Sequence, residues 1–152
     1  MKDIYWYSVY LFFMAVIFSG CTSSYHVSET GGGFSITKLA DNTYQVHNLS
    51  NRHTSQKEIS EYILRRCAQM TLEEDSRYFI ISSQSQSFSE SENNSISYGQ
   101  VIFKILPNNN QQSIYPILDA ITVVKETDAI AGGRLSNKAR QTYNKLLDAE
   151  YK

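Results

Sequence analysis

The residues able to do chemistry are few, and their spacing keeps them apart. His26, His47 and His53 form no His-x-x-x-His or Cys-His pair, the spacing by which one helix or loop presents imidazole and thiolate ligands to a metal. Cys21 and Cys67 lie too far apart for a zinc knuckle. The sequence has no Gly-x-Ser-x-Gly elbow, and no motif gathers a Ser, a His and an Asp into a triad. Gly31-Gly32-Gly33 lacks the Lys-Ser/Thr pair and following helix of a phosphate loop. Glu73-Glu74-Asp75 could in principle pair carboxylates, but it falls at the end of a helical pattern and reads as a solvated face. His47 alternates with Val46 along a strand pattern and reads as a surface residue beside Gln45. Neither catalytic residues nor a metal or cofactor is therefore expected.

Covalent chemistry is expected at one place, and the segment before it decides why. Lys2 is followed by the run Ile4 to Phe18, 15 residues without a charge. As a helix it would reach about 22 Å, short of the ~30 Å hydrocarbon core. A charged start, an apolar run and small residues at the exit fit a secretory signal. Phe18-Ser19-Gly20-Cys21 resembles the lipobox of bacterial lipoproteins, with Ser19 and Gly20 as the two small residues and Phe18 where Leu is usual. The resemblance implies a diacylglyceryl thioether on Cys21, cleavage before it and acylation of the freed amine. Each buried CH₂ adds about 0.8 kcal/mol, so two or three chains make a lasting anchor. It also implies a bacterial envelope location, and Thr22, being other than Asp, is compatible with the outer membrane.

The chain then divides into residues 1–20 as signal, 21–33 as lipidated Cys and tether, and 34–152 as a single domain. The polar stretch Thr22 to Gly33 has a reach of about 20 Å. Lys and Arg number 14 against 15 Asp and Glu, a formal charge of -1, which removes the electrostatic case for nucleic-acid binding. With Cys21 carrying lipid, Cys67 has no partner in the chain.

Within the domain, Phe34–Leu39 and Thr43–Leu49 flank Asp41-Asn42 and predict a hairpin. Ser55-x-x-Glu58 has the form of a capping box. Ile59, Ile63, Cys67 and Met70 then make an apolar stripe, widened by Tyr62, Leu64, Ala68 and Leu72. Glu61, Arg65, Arg66, Gln69 and Glu73 should face water, and Cys67 should be buried. Arg77–Ser82 and Ile96–Leu106 predict two more strands, with Val101, Phe103 and Ile105 alternating against Ile102 and Lys104. Residues 82–95 between them are Ser-, Gln- and Glu-rich and predict a mobile loop. Pro116 opens either a helix carrying Ile117, Ile121 and Val124 or a strand through Ile121–Val124; Ser136 caps a last helix with Ala139, Tyr143, Leu146 and Leu147. The fold class is α+β: an antiparallel sheet in the order β-β-α-β-β packed on one long helix, followed by one or two C-terminal helices.

Tyr44-x-Val46, Thr54-Ser55-x-x-Glu58, Tyr62-x-Leu64-x-Arg66-Cys67-Ala68, Thr71-Leu72-Glu73 and Tyr78-Phe79 together resemble the core block of a group of small proteobacterial envelope lipoproteins. The likeness runs from about Leu39 to Phe79. Cys67 stands where the group has the first Ala of a pair, and Asp75 stands near its usual Gly, so the helix exit is expected to differ. The resemblance implies a secreted, lipid-anchored protein and carries over no catalytic residue. The expected partners are membrane lipid through Cys21 and an envelope protein, the latter docking through the 82–95 segment or the last helix as in an accessory subunit of a secretion, pilus or adhesion assembly. A small envelope hydrolase is the alternative, and would need His47 or His53 beside a carboxylate in a deep pocket.

Overall fold

The computed structural model describes residues 33–50, 54–91, 94–131 and 134–150. Its first two strands, β1 (Gly33–Ala40) and β2 (Thr43–Ser50), form the expected hairpin. Asn42 takes φ 57° at the turn, a left-handed conformation that Asn tolerates better than most residues. Its carbonyl accepts from Ile105 N at 2.8 Å, which continues the pairing of β2 with the strand beside it into the turn.

Helix α1 (Gln56–Glu73) starts on the predicted box. The Ser55 hydroxyl accepts from Glu58 N at 3.2 Å, and the Glu58 carboxylate accepts from Ser55 N at 2.7 Å. These contacts with the Ser55 backbone and hydroxyl hold the Glu58 carboxyl below its ordinary range. A group lowered in this way stabilises the fold fully above the ordinary glutamate range and loses that contribution as pH falls through the lowered value. Ser55→Ala is expected to cost about 1 kcal/mol in urea unfolding at neutral pH, with the gap narrowing in acid. At the other end, Asp75 adopts φ 51°, Ser76 N donates to Thr71 O at 3.0 Å and Asp75 N donates to Leu72 O at 3.1 Å. This is a Schellman exit. Asp75 thus performs the turn that glycine makes more readily, and its carboxylate accepts from the Thr142 hydroxyl at 2.9 Å.

Strands β3 (Tyr78–Ser91) and β4 (Asn94–Leu106) pair from Tyr78↔Leu106 to Ser91↔Asn94. The expectation of a loop over 82–95 is therefore wrong: residues 82–91 and 94–95 continue the ladder, leaving 92–93 at the tip outside the described residues. Low hydrophobicity argues against a free core, but a strand needs only a paired neighbour. Here β4 supplies it, itself held on the helix by Val101, Phe103 and Ile105, all 2% exposed or less. A register shift between Ile81 and Ser83 separates the apolar start of β3 from its polar continuation.

Pro116 does not open a helix. A short strand, β5 (Ile117–Asp119), pairs with Tyr78–Ile80, and only then does α2 (Ala120–Glu126) begin, with the Asp119 carboxylate accepting from Ile121 N at 2.9 Å. The region is strand and helix in succession, and Ile121–Val124 is helical. A four-residue helix α3 (Asp128–Ala131) and the long α4 (Asn137–Glu150) follow. The five strands are ordered β1-β2-β4-β3-β5, every pair antiparallel. Helix α1 covers one sheet face, and α2 and α4 pack in turn on α1. The fold is α+β, as the sequence predicts.

The core lies between α1 and the sheet. Phe103 stacks on Tyr44 at 5.6 Å between centroids and meets Phe79 edge-on at 6.1 Å, geometries that suit the ring quadrupoles. Cys67 is fully buried in this layer. Gly99 sits under Ile59 and Ile63, where an added Cβ would come within 2.5 Å of Ile63 Cδ1.

Candidate functional site

The charged groups of α1 depart furthest from what the sequence predicts. Arg65, Arg66 and Gln69 do not face water: they are 0%, 8% and 4% exposed. Arg65 Nη1 donates to Val124 O at 2.8 Å and to the Thr127 hydroxyl at 3.3 Å, while Nη2 donates to Asp128 Oδ1 at 3.1 Å. A guanidinium presents several donors in a rigid fork, and here it satisfies the open carbonyl end of α2 while fixing the start of α3. Arg66 Nη1 lies 3.5 Å from Glu73 Oε1, which also accepts from Gln69 Nε2 at 3.0 Å and from the Ser136 hydroxyl at 2.6 Å. Ser136 in turn accepts from Ala139 N at 3.3 Å, so the predicted cap of α4 also docks that helix on α1. At the acidic end of α1, Glu73 and Asp75 thus dock α4, while Glu74 stays exposed as the sequence predicts.

A third arginine closes the assembly from the sheet side. Arg77 Nε and Nη2 donate to Asp119 Oδ2 at 2.9 and 2.7 Å, and Nη2 also bonds Glu150 near the end of α4. The Asp119 hydrogen bonds raise the Arg77 pKa further above its already high value, so this link stays charged. All three networks join helices to one another or to the sheet. The Cys67 thiol is pushed far up by burial, against a small opposing pull from Arg66, and a thiol held protonated is not a nucleophile.

The surface opposite α1 is different. Side chains alternate along a strand, so buried Val46 and Asn48 on β2 place Gln45, His47 and Leu49 on the other face, and buried Val101 and Phe103 place Gln100, Ile102 and Lys104 beside them. No described element covers this face. Leu49 on this face is 49% exposed. In its middle, Tyr98 donates its hydroxyl proton to Gln100 Oε1 at 2.8 Å, and the same hydroxyl is hydrogen-bonded to His47 Nδ1. His47 is thus part of a hydrogen-bonded row on an open sheet surface, and among the described residues its side-chain partner is Tyr98 and not a carboxylate.

Of the residues singled out in the sequence, Phe18, Ser19, Gly20 and Cys21 lie outside the described residues, as do His26, His53 and most of the tether. The burial of Arg65 has one signal in the sequence: the residues three positions before and after it, Tyr62 and Ala68, are both apolar, although Glu61 and Gln69 four positions away are polar. A groove of about 380 Å³ lies between the α2–α3 junction and α4, lined by Val124, Lys125, Asp128, Leu135, Arg140 and Tyr143, with Asn144 completing it. Among the described residues, no group of three or more His, Cys, Asp or Glu is placed to hold a metal ion. Comparisons with protein families, with curated proteins and with solved structures find no match.

Proposed function

We propose that this protein is a lipid-anchored, non-catalytic module of the bacterial cell envelope, tethered by acylated Cys21 at the periplasmic face of the outer membrane and presenting its open sheet face to an envelope protein. The observation that carries the binding half is the two-sidedness of the sheet. One face is packed under α1, and the other, with Leu49, Ile102 and the His47–Tyr98–Gln100 row, is covered by no described element. Its mixture of aliphatic, aromatic and hydrogen-bonding groups is the composition of a protein-binding patch. The three arginine networks support the non-catalytic half, since each is consumed in holding helices together. The anchoring half is supported by the lipobox-like Phe18-Ser19-Gly20-Cys21 and by the polar stretch from Thr22 to Gly33, long enough to hold the domain just off a bilayer.

Docking through a loop at 82–95 gives way to docking through the sheet, because residues 82–91 and 94–95 are strand. Metabolic labelling with a radioactive fatty acid tests the anchor: label should enter the full chain and be lost with Cys21→Ser, which should move from the membrane fraction to the soluble one. Unlabelled parent protein would refute it. A photocrosslinking residue at Leu49 in intact cells tests the face, with a crosslinked envelope protein expected there and none from the same residue at Lys145 on α4.

A further inference from the structure

The edge of the sheet carries a feature that the open face does not explain. β3 has β4 on one side along its whole length, but on the other side β5 pairs only with Tyr78–Ile80. Among the described residues, no strand pairs with that edge from Ser82 to Ser91. An edge of this length presents a row of backbone donors and acceptors ready to template another strand. Edges are ordinarily blunted by Lys, Pro or a bulge, and the opposite edge has two of these: β1 carries Lys38 and a register shift between Lys38 and Ala40. The β3 edge has neither Lys nor Pro, and Glu90 is its single charge. Its one register shift, between Ile81 and Ser83, falls where pairing with β5 has just ended and leaves the rest regular.

We infer that this edge pairs with the same edge of a second copy of the chain, antiparallel, about a two-fold axis through Ser87. In that register Ser87 meets Ser87, Gln86 meets Phe88, Ser85 meets Ser89, Gln84 meets Glu90 and Ser83 meets Ser91. Each stretch Ser83–Ser91 fits between the β5 of one copy and the hairpin tip of the other, so the ladder ends where the free edge ends. A register centred nearer to Ile81 would run the second copy's β3 into β5. The two Glu90 residues never face each other; each lies opposite Gln84. Directly opposed residues share a sheet face, so both copies of α1 lie on the same side of one continuous ten-stranded sheet, and the open faces join on the other. A self-complementary patch is what a two-fold interface requires. The uncharged alternation of Ser and Gln from Ser83 to Ser87 accepts its own reverse.

The test uses full-length protein in detergent and one exposed position. Parent protein should sediment as a dimer at high concentration and dissociate on dilution. Ser87→Lys and Ser87→Glu each place like charges across the axis and should weaken self-association at least about tenfold. An equimolar mixture of the two should restore a dimer containing one of each, a result that misfolded variants cannot give. Mild oxidation should crosslink Ser87→Cys into a dimer, and Thr37→Cys on the blunted edge should stay uncrosslinked. A parent that remains monomeric at every concentration overturns the inference. So do Ser87→Lys and Ser87→Glu variants that both dimerise as the parent does, which would place the contact elsewhere, and a mixture that stays monomeric.

Discussion

Arg65→Ala is expected to lower the stability of the domain by about 3 kcal/mol, the largest loss from any single charged residue. Two effects add. Truncating a fully buried long side chain leaves a cavity, and Val124 O loses its donor at the end of α2, where an unsatisfied buried carbonyl costs about 1–3 kcal/mol. Asp128 contributes little to this sum. Its side chain is 58% exposed, so on losing its partner it returns to water instead of being stranded as a buried charge. Arg65→Met, which keeps the aliphatic stem but supplies no donor to Val124 O, should recover the cavity part of the loss and leave the carbonyl part. Urea midpoints at constant m-value measure the difference, and amide exchange shows where it acts: Val123 to Asp128 should exchange faster in both variants. An Ala variant as stable as the parent would show that the clamp is redundant.

Gly99→Val should cost at least as much. The cause is crowding, because β-branched carbon at this position has nowhere to go. The nearest atoms to an added Cβ are Ile63 Cδ1 at 2.5 Å and Ile59 Cγ2 at 2.9 Å. The first is the tip of a side chain and can swing away, but the second is attached close to the α1 backbone, so the helix itself must lift from β4. Overpacking of this kind costs typically about 1–3 kcal/mol per small insertion, and Val inserts three carbons. Gly99→Ala is the milder probe. Combined with Ile63→Val, which deletes the clashing methyl, it should be less destabilising than the sum of the two single changes, by about 1 kcal/mol on thermal or urea unfolding. Strict additivity would mean that α1 does not approach β4 through Gly99.

The expected dimer and the expected clamp act at opposite ends of one design. α1 is the hub: its apolar stripe takes the sheet, Arg65 takes α2 and α3, and Glu73 takes α4 through Ser136. With the helices committed to one side in this way, the other face of the sheet and the outer edge of β3 are what remain for binding.

Local signals were enough for every element whose cause is local. Asp41-Asn42 marks the hairpin, Ser55 and Glu58 mark the start of α1, Ser136 marks the start of α4, and the 101–103–105 alternation marks the inward face of β4. Each depends on residues within a few positions of one another, so the physics is contained in the string. What the string could not decide was anything with a distant partner. Residues 82–91 are polar enough for a loop and become strand because β4 lies beside them, at separations along the chain that grow away from the tip. Arg65 and Arg66 look solvated until α2, α3 and α4 arrive to cover them, and the cost of burying the Arg65 guanidinium is offset by carbonyl, hydroxyl and carboxylate groups some sixty residues away that bond its two terminal nitrogens. Composition sets the cost of leaving water; only the tertiary neighbours determine whether that cost is met.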